Sequence, residues 1–496
     1  MSASDYVGVP TIPSGKLIDN TVIQRGSDTV YRQRVEIYAT DGAPIQTTGL
    51  TDTQLRATAV PVSGPLTDTQ LRATAVPIVL ADGVQLDAFS RLRVSEARTL
   101  FDSQQEYGLN TLQVWDATAN GVLSGPTAST NGSVSSAGND VGPTSATTGM
   151  TPITSSATNG HYAVLQSRQY TRYIPGKSHL VLLTGIFATA ANPAARLVIR
   201  SNTSGSPVDT GVSQASWNID PFDGTGPSGI TIDFTKTQIL FIQAQWLGVG
   251  RVVVGFDIDG MLYPAHQFLH ANNLVVPYTR TFNLPIRLET RTINTTGVTR
   301  SGYFDGNNGV FLELTNAGAG GTMYFICCSV QSEGGEESRG FPYSGPNSII
   351  STTVTTRRPI LSIRPKTTYN SQTNRAHIQD IEFLLRTSTN DCLYELVING
   401  TLTGAAWTSV STESVTEFDT TATAISGGGA FLRGYSIAGS GSTRLLIGGA
   451  SDLRNPLVLS QIDALTATQN TISLVCTSTT GNSVNSPIMN WHEQTI

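Results

Sequence analysis

Between residues 161 and 335 apolar positions recur at every second place, in short runs broken by Gly, Asn, Asp and Pro. A period of two marks half-buried β-strands, because successive side chains point to opposite faces. The pattern predicts strands at His161–Arg168, Ser178–Phe187, Ala195–Ser201, Ile230–Phe234, Ile239–Gln245, Ile286–Thr292, Val310–Leu314 and Tyr324–Gln331. The clearest local signal is RVVVGFDIDGMLYPAHQF, two apolar runs joined by Asp259-Gly260. A two-residue Asp-Gly connection predicts a β-hairpin, since both turn positions need positive φ. The first run, from Val252, is apolar on both faces and reads as a strand buried on both sides. No stretch of helical length shows the 3.6-residue period.

Outside this region the pattern changes. A strand is expected at Thr29–Tyr38, where Arg32, Arg34 and Glu36 alternate with Val35 and Ile37 as on a sheet edge. LTDTQLRATAVPV at 50–62 then recurs as LTDTQLRATAVPI at 66–78. Two copies are too few for a solenoid. They read either as a spacer that docks on equivalent surfaces or as a duplication in a tolerant linker. Arg91–Val94 suggests another strand, and Thr99–Tyr107 a loop into the main domain. Residues 117–160 are nearly all Ala, Thr, Ser, Gly and Asn, the composition of a linker or a long surface excursion. After a Gly/Ser/Thr-rich passage at 336–358, alternation resumes from Pro359–Pro365 through His377–Arg386 and Cys392–Ile398, with a turn at Asn399-Gly400. Later strands are expected around Trp407, Phe418, Phe431, Leu445–Ile447, Leu457–Leu459, Ile472–Cys476 and Met489–Trp491. The expected architecture is all-β: antiparallel, jelly-roll-like β-sandwich domains in tandem behind an extended N-terminal attachment segment. Its divisions are 1–48 (attachment), 49–80 (repeat spacer), 81–160 (extended linker), 161–340 (central sandwich) and 341–496 (C-terminal sandwich).

Composition narrows the function. Only 13% of residues are charged, against about 25% in an average soluble domain. The 39% hydrophobic content excludes global disorder. Net charge is −6, and Arg357-Arg358 is the densest basic pair. Binding nucleic acid through its phosphates needs a positive footprint, so no nucleic-acid partner is expected. The four cysteines, Cys327, Cys328, Cys392 and Cys476, read as buried free thiols without a zinc or disulfide pattern. No basic-then-apolar leader opens the sequence, and Leu180–Ile199 is interrupted by Gly185, Asn192, Pro193 and Arg196. Cytoplasmic synthesis and no membrane insertion are therefore expected.

Few constellations carry chemistry. Asp257-x-Asp259-Gly260 has Leu262 and Phe268 where a calcium loop needs Gly and a bidentate Glu, so it reads as a turn. His266 and His270 share a face but lack a third ligand nearby. Glu289, Asp305, Glu313, Asp380 and Glu395 are acidic candidates for glycoside hydrolysis, which needs two carboxylates about 5–10 Å apart. No nucleophile-elbow, zinc-protease or phosphate-loop motif occurs. Trp217-Asn218-x-Asp220 and Tyr303-Phe304-Asp305-x-Asn307 place rings beside Asp and Asn near turns, as sugar-binding sites do. Trp217, Asn218, Asp220, Tyr303, Asp305 and Asn307 are therefore candidate glycan contacts, while aromatics filling subunit contacts remain the alternative. No metal, cofactor or catalytic residue is assigned.

Several blocks together resemble segments of tailed-bacteriophage virion proteins: VYRQRVEIYATDG, the LTDTQLRATAVPV repeat, DAFSRLRVSEARTLFDS, RQYTRYIPGKSHLVLLTGIF, WLGVGRVVVGFDIDG with HQFLHANN, SVQSEGG, RPILSIRPK and NGTLTGAAWTSV. The resemblance covers most of the chain and is weakest at 117–160. It implies an oligomeric virion component built of jelly-roll-like β domains on the tail, baseplate or head surface. The function expected for this chain is non-enzymatic, with assembly in the host bacterial cytoplasm and anchoring by its N-terminus to other virion proteins. A homotrimer on the tail, as a fibre, baseplate or collar part, is the expectation. A head decoration or head fibre, and a module binding a host-surface glycan, are the alternatives. No catalytic residue transfers.

Overall fold

The computed structural model describes three N-terminal strands, residues 97–335 and residues 340–494, with gaps at 107, 110–112, 118–133, 137, 143, 146, 168, 375, 440–441, 448–458 and 461–468. The chain forms two compact units, Met1–Gly83 and Val84–Ile496. In the first, Lys16–Arg25 and Asp28–Tyr38 run antiparallel, from Lys16 opposite Ile37 to Arg25 opposite Asp28. Pro44–Ile45 pairs with Ile37 and Tyr38. The tandem repeat and the expected Arg91–Val94 strand lie outside the described residues.

The second unit is all-β, and its sheets are antiparallel. A nine-stranded sheet runs Met261–Phe268, Val252–Ile258, Gln238–Ala244, His179–Ile186, Gly321–Ser332, Thr151–Ser155, Asn139–Val141, Val134–Ser136, and Arg98–Gln104 also pairs with Gly321–Ser332. Facing it, a seven-stranded sheet runs Val208–Ser213, Ala194–Ser201, Gly309–Thr315, Thr296–Phe304, Ile286–Ile293, Tyr162–Ser167, Gln113–Asp116. The period-two pattern sends Val181, Leu183, Leu240, Ile242, Val252 and Val254 inward from the first sheet. Leu165, Leu197, Ile199, Leu288, Val310 and Leu312 meet them from the second, in one continuous core. Burying each such side chain is worth about 1.5–3 kcal/mol. Val253, on the opposite face, is also buried, against Phe241 and Leu180. The Val252 run is thus covered on both sides, as its sequence indicates.

The Asp259-Gly260 hairpin forms as expected: Ile258 faces Met261, and the turn residues have φ of 55° and 82°. Both positive values define a type I′ turn. The hairpin closes one edge of the nine-stranded sheet, with Met261–Phe268 outermost.

A second sandwich follows. One of its sheets orders Phe341–Gly345, Ser483–Gln494, His377–Ser388, Ser442–Ile447; the other orders Thr408–Ser409, Thr416–Asp419, Arg358–Pro365, Ile472–Ser478, Cys392–Ile398, Gly429–Ser436. Its core includes Leu361, Ile363, Phe383, Leu385, Leu396, Leu474, Met489 and Trp491. Among the described residues, the contacts that tie it to the first sandwich include the following. The His377 imidazole Nε2 lies 2.9 Å from the Tyr170 carbonyl oxygen, and Arg172 donates to the Gln494 side-chain oxygen at 2.5 Å.

Several expectations need correction. Ile230–Phe234 is no strand; Thr231 makes only an isolated bridge to Asp223. Arg98–Gln104, expected as a loop, and Gln113–Asp116, Asn139–Val141 and Thr151–Ser155, within the expected linker region, are strands of the central sandwich. Val208–Ser213 and Thr296–Phe304 are strands where none was expected. Phe341–Gly345 and Thr352–Val354, in the Gly/Ser/Thr-rich passage, both pair with Ser483–Gln494. Trp407 lies outside the strands.

Candidate functional site

The six candidate glycan contacts serve two separate structural jobs. Trp217 is buried against Phe256 and donates its indole N–H to the Val212 carbonyl at 3.1 Å. Asn218 acts as a substitute strand: its amide donates to the Gln267 carbonyl and accepts the Gln267 N–H, both at 2.9 Å. The N–H groups of Ile219 and Asp220 bond the Ala265 carbonyl. This segment therefore covers the free edge of Met261–Phe268. Asp220 accepts the Phe222 and Ser228 N–H groups at 2.8 Å each. Burial opposes its ionisation, but the Ser228 side chain together with those backbone bonds holds its carboxyl below the usual range.

Tyr303 is fully buried, in a strand rather than near an exposed turn. Its hydroxyl donates to the Phe282 carbonyl at 3.1 Å, accepts the Leu284 N–H at 3.3 Å and meets the Thr171 hydroxyl. Asp305 accepts the N–H groups of Asn307 and Asn308, closing the turn before Gly309–Thr315, and Asn307 is exposed. A sugar stacks on an exposed ring, and neither Trp217 nor Tyr303 offers one.

The acidic candidates are likewise engaged. Register puts Arg196, Glu313, Arg300 and Glu289 in one row across four neighbouring strands. Arg300 bonds Glu289 at 2.9 Å and Glu313 at 2.8 Å; Arg287 bonds Glu289 at 2.6 Å, and Arg196 bonds Glu313 at 3.1 Å. Apart from Arg196, these side chains are under a tenth exposed. Arg200 and Arg300 also lie over the Phe311 ring, and Arg287 over Phe304. Burial alone would raise the Glu289 carboxyl, but Arg287 and Arg300 hold it down at about 2. Glu395 is gripped by Arg357 and Arg433 at 2.6 and 2.7 Å and is also held low. A glycosidase acid needs a carboxyl raised toward neutrality; these two are shifted the other way. Asp380 lies 3.5 Å from the His492 ring.

His266 accepts the Asn218 N–H on Nδ1 at 3.1 Å, and His270 stacks on Tyr278 at 4.0 Å. Phe268 stands between the two imidazoles, in ring contact with both. Burial lowers the pKa of both histidines. The four cysteines are free thiols; Cys327 is half-buried, the others buried, and Cys392 and Cys476 sit 3.6 Å apart. Among the described residues no group of three or more His, Cys, Asp or Glu is placed to hold a metal. Among them, too, no helix is long and apolar enough to cross a membrane.

What the sequence reading missed is a pair of loops flanking the hairpin strands. Leu247, Val249, Leu269, Leu274, Val275 and Val276 are all exposed, Val275 completely. Trp246–Gly250 and Leu269–Pro277 contain no Asp, Glu, Lys or Arg. They are not slack. Tyr278 N–H bonds the Gly248 carbonyl at 2.9 Å, the His270 ring Nδ1 lies 2.8 Å from the Gly250 carbonyl, and Leu247 N–H bonds the Tyr173 hydroxyl at 3.2 Å. The Trp246 indole is fixed on Thr279 at 2.8 Å. Two hydrogen-bonded loops therefore present exposed aliphatic side chains to solvent, the property of a contact surface. The signal was available in the sequence: three consecutive aliphatics, Leu274-Val275-Val276, between Asn273 and Pro277, turn residues that mark a loop.

No known family profile matches the chain, and no curated protein matches it. Among solved structures, the endo-1,3-β-glucanase of Streptomyces sioyaensis aligns at 12% identity and a TM-score of 0.26, over 48% of this chain and 97% of the enzyme. The Bacillus licheniformis β-glucanase aligns at 9% identity and a TM-score of 0.16, over 48% of this chain and 98% of the enzyme. At these scores neither likeness bears on what this chain does.

Proposed function

We propose that the chain is a non-catalytic structural and binding protein of a tailed-phage particle, carried on the tail through its N-terminal region. The observation that carries the contact role is the uncharged apolar surface of Leu247, Val249, Leu269, Leu274, Val275 and Val276. Exposed aliphatics in such numbers, held by hydrogen-bonded loops, suit a protein–protein contact. The buried acids support the same reading: Glu289 and Glu395 neutralise arginines within the scaffold. The blocks that resemble virion proteins supply the particle context, and repeated copies would make weak contacts strong by avidity.

In this account Val275 and its neighbours seat the central sandwich on another particle protein. The test is a Leu247→Glu/Val275→Glu variant supplied in place of the natural chain during particle assembly. The variant should melt like the parent yet be depleted from purified particles. Normal incorporation would remove this surface from the account.

A further inference from the structure

The two sheet edges on one flank of the central sandwich are finished differently. Met261–Phe268 carries Pro264, pairs through a bulge at Val254/Gly255, and is covered by Asn218, Ile219 and Asp220. These are the devices by which natural sheets block edge-to-edge association. Val208–Ser213 has none of them. It contains no Pro or Lys, and it pairs with Ala194–Ser201 without a register shift. All its residues are exposed except half-buried Val212. Among the described residues no strand pairs with its outer side.

Its charge pattern says what fits there. Asp209, the one charged residue of the strand, receives two bonds from Arg200, at 2.7 and 2.8 Å. The Arg196 guanidinium lies over Gly211, so close that a Cβ there would come within 2.9 Å of its central carbon. Arg196 is 40% exposed, with room for a second acid beside Glu313. Asp209, Gly211, Arg196 and Arg200 share one face of the sheet, since Arg196 faces Ser213 and Arg200 faces Asp209.

We propose that Val208–Ser213 pairs antiparallel with the same strand of a second copy, about a two-fold axis at Thr210. Val208 then faces the partner's Val212, and Thr210 faces the partner's Thr210. Like β-branched pairs of this kind stabilise antiparallel ladders. Asp209 faces the partner's Gly211 and so meets the partner's Arg196, twice by symmetry. An axis at Asp209 would oppose two aspartates, and one at Gly211 two Arg196 side chains. The charge pattern selects Thr210. The result is a two-fold dimer with one sheet continuous across both copies, a different symmetry from the expected trimer. It rests on edge geometry alone and is independent of the phage reading.

The test is analytical ultracentrifugation of the full chain with Thr210→Lys and Thr210→Glu variants. The parent should sediment as a dimer. Each variant should sediment as a monomer, because like charges then meet on the axis, while retaining the parental circular dichroism and melting temperature. Mixing the two variants should restore a dimer, since Lys then faces Glu. A monomeric or trimeric parent, or variants that remain dimeric, would overturn the proposal. So would a mixture that stays monomeric.

Discussion

Glu289→Gln is the sharpest probe of how the central sandwich is held together. Glu289 accepts two bonds from Arg287, at 2.6 and 3.1 Å, and one from Arg300 at 2.9 Å, with its side chain only 8% exposed. Its carboxyl is held at about 2 against an ordinary 4.5, a difference worth about 3 kcal/mol. Removing one member of a buried ion network costs about 3–5 kcal/mol, because the remaining charges stay buried without compensation. The two routes agree on about 3–4 kcal/mol. For a domain of this size that lowers the melting temperature by roughly 6–16 °C. Differential scanning calorimetry of the full chain should show the central-sandwich transition moving down by that amount. An Arg287→Met/Glu289→Leu double variant leaves Arg300 paired with Glu313 and should lose much less. A Glu289→Gln shift below about 2 °C would refute the reasoning, since the row would then be solvated rather than structural.

Acid should destabilise the fold in two stages. Burial holds His179 and His377 at about 4 against 6.5, so the unfolded chain binds protons that the folded chain refuses between those values. Stability is then full above pH 6.5 and falls as pH drops toward 4, by up to about 3 kcal/mol per histidine. Glu289 adds a second loss between about 4.5 and 2; melting temperatures that stay flat from pH 7 to pH 5 would contradict the first stage. Tyr303→Phe should cost about 1–3 kcal/mol in urea unfolding, by stranding the Leu284 N–H and the polar groups around it. Gly255→Ala should disrupt the edge bulge, because its Cβ would lie 2.1 Å from the Tyr263 carbonyl oxygen; a loss of about 1–3 kcal/mol is expected, and a neutral result would mean that the bulge relaxes freely.

What could be read in advance was local and apolar; strands without an apolar period and relations between strands could not be read. The hairpin at Asp259-Gly260 is written in two adjacent residues whose positive φ values are a property of the turn itself. Val252–Ile258 and His179–Ile186 were legible because aliphatics fill their inward positions. Thr296–Phe304 was not. Its inward side is Gly297, Thr299, Ser301 and Tyr303, and the neighbouring Val310 carbonyl would lie 2.3 Å from a Cβ at Gly302. Small and hydroxyl residues there permit close backbone approach and leave no apolar period to detect. The same poverty hid Asn139–Val141 and Thr151–Ser155. The ion row was invisible for another reason: Glu289, Arg300 and Glu313 are unremarkable singly, and only the register of three strands aligns them. The glycan candidates show the converse error, since Asn218 and Asp220 have the right chemistry for a sugar but direct it at the protein's own backbone.

The proposed place of this chain is a phage particle, on its tail. Immunogold electron microscopy of intact particles, with antibody raised against residues 84–496, tests it most directly. Gold on the tail is the predicted result. Gold confined to the head would move the protein to the head surface, and unlabelled particles from infected cells that contain the chain would contradict the account.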